Sequence, residues 1–211
     1  MEDEIELEQI TYSKKRKVAF EIKDMLAGLI FPFVITVIFS ATIIAFSAYN
    51  GDLTVKLLAL IGGEVLLVVA LIIFGRANGA AAYRKTVLHE RKRTLGSSDE
   101  RAVYGTGEYR LWKGALIGFI ITVPFIIFQI IQLAVPNTFC SFCLQYLFAW
   151  AYCPFSALGE RYQALNFIMI LLPVGVHMLG YHLGKLKEIK VQEALASQEL
   201  ESKKKGKRGR K

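Results

Sequence analysis

Four apolar stretches constrain this chain more than any other feature: Met25–Tyr49, Leu53–Gly75, Leu111–Val135 and Gln163–Gly184. Each is longer than the roughly 18–20 residues a helix needs to cross about 30 Å of hydrocarbon. In hydrocarbon every backbone N–H and C=O must be bonded inside its own segment, so each stretch has to be helical. The expected fold is all-α: a polytopic integral membrane protein with four transmembrane helices. A mean hydropathy of +0.39 is too high for an ordinary soluble domain.

Charge sets the expected orientation. Five of the 26 Lys and Arg precede the first span, nine lie between Arg76 and Lys113, and ten follow Lys185 inclusive. Only Lys56 and Arg161 fall on the other side. Basic residues flanking spans stay in the cytoplasm, so both termini and the 76–110 loop are expected there. The chain starts Met-Glu-Asp-Glu, without the basic n-region of a cleavable signal peptide, and span one is expected to insert uncleaved. This pattern suits a bacterial cytoplasmic membrane.

The expected organisation has three parts. Residues 1–24 form a charged cytoplasmic arm, mobile to about Val18. Residues 25–184 form the membrane domain. Residues 185–211 form a cytoplasmic helix and a disordered basic tail. Span two is expected to continue as helix through Ala80–Arg93, where Gly and Pro are absent, and to break at Thr94–Ser98. Asn50-Gly51-Asp52 reads as a tight turn between spans one and two.

Between spans three and four, in the outer segment 136–162, Thr138–Leu158 carries no charge. As a fifth span it would export the ten C-terminal basic residues, which the charge pattern opposes. Its aromatics (Phe139, Phe142, Tyr146, Phe148, Trp150, Tyr152 and Phe155) favour the headgroup level, so an interfacial or re-entrant segment is expected. A weak internal echo is also present. Glu21-x-Lys23 and Glu108-x-Arg110 precede spans one and three, and Gly75/Gly79 and Gly180/Gly184 end spans two and four.

Four polar residues inside the spans form the candidate intramembrane site: Glu64, Gln129, Gln132 and His177. Glu64 lies about 11 residues from either end of span two, near the bilayer midplane. A carboxylate there costs about 2.5 kcal/mol or more, so it must be paired, protonated or in a wet cavity. It reads either as a proton- or cation-binding group or as a hydrogen-bonding link to another helix. His177 follows Pro173 by four residues; Pro173, Pro32 and Pro124 are expected to kink their spans. Gln129 and Gln132 lie three apart on one face and read as interhelical hydrogen-bonding groups.

Cys140, Cys143 and Cys153 are expected as one disulfide with a cysteine left over, or as three thiols. A zinc site needs about four ligands, and no His or fourth Cys is available nearby. The tail residues Lys203, Lys204, Lys205, Lys207, Arg208, Arg210 and Lys211 suit anionic lipid headgroups or a protein partner. RNA or ribosome contact is disfavoured, because no aromatics interleave with them. Nucleophile-elbow, metallo-hydrolase, P-loop and dinucleotide motifs are absent. The expectation is therefore a non-enzymatic accessory or scaffolding subunit without metal or cofactor. The alternative is a small transporter or channel subunit, as a homo-oligomer, using Glu64.

Overall fold

The computed structural model describes the backbone of residues 2–49, 53–96, 99, 101, 104–156 and 160–208. Side chains are described for 14–44, 54, 58, 60–96, 99, 101, 104–154 and 162–198. Of the described residues 92% are helical, and none is in a strand. The helices are α1 (Glu2–Tyr49), α2 (Leu53–Thr94), α3 (Leu111–Ala134), α4 (Thr138–Leu147), α5 (Ala149–Ser156) and α6 (Leu171–Arg208). A 3₁₀ segment, Glu160–Ile170, leads into α6. Helices α1, α2, α3 and the 3₁₀–α6 unit are each long and apolar enough to cross a membrane. Their large apolar side chains face outward, as with Phe31 at 66% and Leu171 at 69% exposure. Lipid tails impose no penalty on such faces, so small residues and polar contacts hold the helices together.

Small-residue stripes set the crossings. Gly75 and Gly79 of α2 meet the backbone of His177, Gly180 and Tyr181, while Gly180 and Gly184 of α6 meet Ile72, Arg76 and Ala80. Residue numbers rise together along this contact, so α2 and α6 run parallel. Gly114 and Gly118 of α3 meet Tyr181 and Pro173, so α3 runs antiparallel to α6. Helix α1 runs antiparallel to α2, because Gly28 lies beside Asn78 and Ile43 beside Gly63. The start of α1, the end of α2, the start of α3 and the far half of α6 therefore share one end, called here the basic end. The two glycine pairs seen in the sequence are partners of each other.

Helix reaches over both the N-terminal arm and the basic tail. Helix α1 begins at Glu2, in a segment free of Gly and Pro whose first-turn acids suit a helix N-terminus. Helix α6 continues through Arg208. Pro173 lies just after the 3₁₀ segment Glu160–Ile170 passes into α6, in the first turn of the α-helical part and inside the continuous helical span. As expected, α2 runs through Arg93 and stops at Thr94. The Asn50–Asp52 turn lies outside the described residues.

The aromatic segment forms two helices of 10 and 8 residues, each too short to cross a bilayer. The Asn137 side chain caps α4 by accepting from the Cys140 N–H at 2.8 Å. The aromatics then divide. Phe139, Phe142 and Tyr146 are exposed, whereas Phe148, Trp150 and Tyr152 enter the core with Leu67, Leu71, Ile121 and Phe125. The ring of Phe125 lies 6.0 Å from that of Trp150.

Candidate functional site

The four intramembrane polar residues do not gather in one place. Glu64 and His177 sit at different depths. The partner of His177 is Asn78, about 21 Å from Glu64 along α2 at roughly 1.5 Å per residue.

In the middle of the apolar part of α2, Gly63 lets α1 close onto α2 through Ile43. Next to it, both carboxylate oxygens of Glu64 are buried without a hydrogen-bond partner among the described residues. Cys153 of α5 is near enough to interact with Glu64 electrostatically. Other enclosed polar atoms without a partner are Ser40 Oγ, Gln129 Oε1 and Trp150 Nε1. Gln129 also donates from Nε2 to the Gln163 carbonyl oxygen at 3.1 Å, tying α3 to the 3₁₀ segment. Gln132 belongs elsewhere. Its Oε1 accepts from the Asn137 N–H at 3.3 Å, shaping the turn into α4.

His177 is fully buried and links the spans near the basic end. Its Nδ1 lies 2.9 Å from the Gly114 carbonyl oxygen. A carbonyl only accepts, so Nδ1 carries the proton and the neutral ring leaves Nε2 as an acceptor. Asn78 Nδ2 donates toward that Nε2 at 3.5 Å and to the Gly28 carbonyl oxygen at 3.0 Å. Gly28 (α1), Asn78 (α2), Gly114 (α3) and His177 (α6) thus form one polar chain across all four spans.

Beyond it, ion pairs close the basic end. Lys113, 5% exposed, donates to Glu21 Oε2 at 2.7 Å and to the Glu108 carbonyl oxygen at 3.0 Å. Lys85 pairs with Asp24 at 2.9 Å. The Glu108 carboxylate pairs with Arg93, and His89 Nδ1 lies 3.3 Å from it. Tyr109 stacks on Tyr181 with ring centroids 5.0 Å apart, and its hydroxyl is 3.1 Å from His182 Nδ1. Burial pushes the Tyr109 hydroxyl above the usual phenol range.

Cys140, Cys143 and Cys153 are free thiols, with the first two buried on one face of α4. No group of three or more His, Cys, Asp or Glu is placed to hold a metal among the described residues. The side chains of Lys203, Lys204, Lys205, Lys207 and Arg208 lie outside the described residues, as do Arg210 and Lys211 entirely. Sequence reading missed Asn78, Ser40 and the pairs Glu21–Lys113 and Asp24–Lys85. Asn78 carried a usable signal: a lone amide in Gly75-Arg76-Ala77-Asn78-Gly79, between two glycines that invite helix contact.

No protein family, no curated protein and no solved structure matches the chain.

Proposed function

We propose that this is a non-enzymatic accessory or scaffolding subunit of a bacterial cytoplasmic membrane. Both termini and the 76–110 connection face the cytoplasm, where the protein docks anionic lipid headgroups or a partner subunit. One observation carries the reading. Helices α1, α2 and α6 all run past their apolar parts at one end, and the acids Glu21, Asp24 and Glu108 at that end are already ion-paired. Lys14, Lys15, Arg91, Lys187 and Lys190 are exposed there and outnumber the exposed acids Glu90 and Glu193, so the described surface at that end is positive on balance. Each basic residue near an anionic surface contributes about 1 kcal/mol, screened within about 10 Å at 0.1 M salt. The aromatic face of α4, with Phe139 and Phe142, is read as lying in the opposite headgroup region.

The test is native mass spectrometry of the chain released from phosphatidylglycerol nanodiscs, with and without residues 203–211. Fewer retained anionic lipids on the truncated chain, and at higher salt, support the reading. Equal retention in both sinks it.

A second reading, a small transporter or channel subunit, is favoured by the enclosed, unpartnered carboxylate of Glu64. The ion path would run past Glu64, Gln129 and Ser40, without Gln132 or His177. Flux into liposomes lost in Glu64→Gln, with folding intact, supports it; unchanged flux ends it.

A further inference from the structure

A cleft of about 210 Å³ opens at the basic end between α1 and α2, and none of the roles above uses it. Gly28, Asn78 and Tyr181 line it together with the ion pairs Glu21–Lys113 and Asp24–Lys85. The cleft therefore holds two carboxylates and two ammoniums and has no net charge. That composition disfavours an anionic guest and matches one bearing both signs. The four ions are not equally available. Lys113 is 5% exposed and fixed by two acceptors, whereas Lys85 is 42% exposed and Asp24 21%. Lys85 can turn to an anionic group without leaving the cleft. Lys113 meets Glu21 through Oε2 and Lys85 meets Asp24 through Oδ1, and a carboxylate can accept from more than one donor, so both acids can also take an ammonium.

The mouth shows where the guest comes from. Ala27 and Ala81 line the cleft and are both exposed. One turn further along, their helix faces carry Phe31, 66% exposed, and Ala77 then Ile73, the faces turned to lipid. Phe31 stacks on Phe74 with centroids 6.1 Å apart, making an apolar ledge between α1 and α2 below the mouth. The cleft lies between Glu21 and Gly28, the depth at which span one enters the bilayer and headgroups sit.

We propose that this cleft binds the headgroup of a zwitterionic phospholipid with a free primary ammonium, entering sideways from the adjoining leaflet. The ammonium donates to Glu21 and Asp24, the phosphate accepts from Lys85, and the acyl chains lie against Phe31 and Phe74. A primary ammonium has three N–H donors for the carboxylates, whereas a trimethylammonium has none. The site therefore distinguishes phosphatidylethanolamine from phosphatidylcholine. This is separate from the basic extensions, which select anionic lipid by charge alone.

The experiment uses the full chain in nanodiscs of equimolar phosphatidylethanolamine and phosphatidylcholine with phosphatidylglycerol, released and weighed by native mass spectrometry. One retained phosphatidylethanolamine per chain, favoured about tenfold over phosphatidylcholine, is expected. Asp24→Asn should reduce it about tenfold. Ala81→Leu, which plugs the mouth and leaves the ion pairs in place, should abolish it while the size-exclusion profile stays unchanged. Equal retention of the two lipids, or retention undiminished in both variants, overturns the proposal. So does failure to retain either zwitterionic lipid. Displacement of the lipid by millimolar free phosphoethanolamine would assign the cleft to a soluble zwitterion and overturn the lipid assignment.

Discussion

The imidazole of His177 donates from Nδ1 to the carbonyl oxygen of Gly114, 2.9 Å away on another span. That bond fixes the tautomer and turns Nε2 toward Asn78, which in turn reaches Gly28. The ring acts as a structural link, and Gly114 lets α3 approach α6 closely enough for it, since a Cβ there would meet the Tyr181 side chain. His177→Leu should destabilise the bundle by about 0.5–2 kcal/mol, the range of interhelical hydrogen bonds in membranes. Asn78→Leu should cost a similar amount. A double-mutant cycle by denaturant titration in detergent decides whether they act as a unit. Their costs should be clearly less than additive, because either change alone breaks the chain. Strict additivity would mean that the 3.5 Å contact contributes nothing.

Glycine substitutions should separate contact from mere flexibility. A Cβ at Gly79 would overlap the Tyr181 carbonyl, and one at Gly184 would overlap that of Arg76. Backbone cannot rotate away as a side chain can, so Gly79→Ala and Gly184→Ala should each force α2 and α6 apart. The expected loss is about 1–3 kcal/mol or more. Gly62 and Gly175 have nothing within 4 Å of such a Cβ. Gly62→Ala and Gly175→Ala should be neutral or stabilising by up to about 1 kcal/mol, through helix propensity. Thermal unfolding of the four variants in one detergent gives the ranking.

The difference between these glycines marks how far the sequence could be read. The spans were legible because their length and lack of charge leave a helix no alternative in hydrocarbon. The end of α2 at Thr94 was legible because Gly96 adopts a φ of +68°, a turn geometry that glycine tolerates and other residues resist. Gly75, Gly79, Gly180 and Gly184 were visible as pairs, but a sequence does not state which stripe faces which. Glu64 and His177 were visible as costly groups, and only the packing shows that they lie at separate depths. The aromatic segment was the least legible. Trp150 and Phe139 are equally suited to a headgroup layer by composition, and only the Asn137 cap and the bend between α4 and α5 send one inward and the other outward.

Glu64 gives a stability prediction that does not depend on any transport role. An enclosed carboxyl without a partner opposes folding, and a midplane acid costs about 2.5 kcal/mol on insertion scales. Glu64→Gln should therefore fold at least as stably as the parent, and Glu64→Leu should be more stable by about 1–3 kcal/mol. Denaturant titration in detergent reads this directly. A loss of stability in Glu64→Leu would show that the carboxyl has a partner beyond the described residues.

The connection after α2 should respond to acid through Asp99. A hydrogen bond from Lys92 foremost, with the Arg101 backbone N–H also contributing, holds this carboxyl below the usual carboxylate range. A group with a depressed folded value contributes stability above its unfolded value and loses it as pH falls through the folded one. The connection should therefore be unchanged from neutral pH down to the ordinary carboxylate range and loosen only below it. Hydrogen exchange of the Leu95, Gly96, Asp99, Arg101 and Tyr104 amides should show that acid step in the parent. The step should be absent from Asp99→Asn, whose exchange is already faster at neutral pH.

Trp150 tests the burial of α5. It is fully buried, and the other tryptophan, Trp112, is 52% exposed near the start of α3. In Trp112→Phe the emission comes from Trp150 alone. It should be blue-shifted and nearly insensitive to iodide in water and to brominated lipid chains, because protein surrounds the ring on all sides. A ring lying in the headgroup layer would be quenched by one or both. Trp150→Ala should cost about 3–5 kcal/mol through the cavity it leaves beside Phe125. Phe139→Ala, on the exposed face of α4 at 67%, should cost far less in the same detergent. A small loss at Trp150 together with strong quenching would place α5 at the surface and remove it from the core.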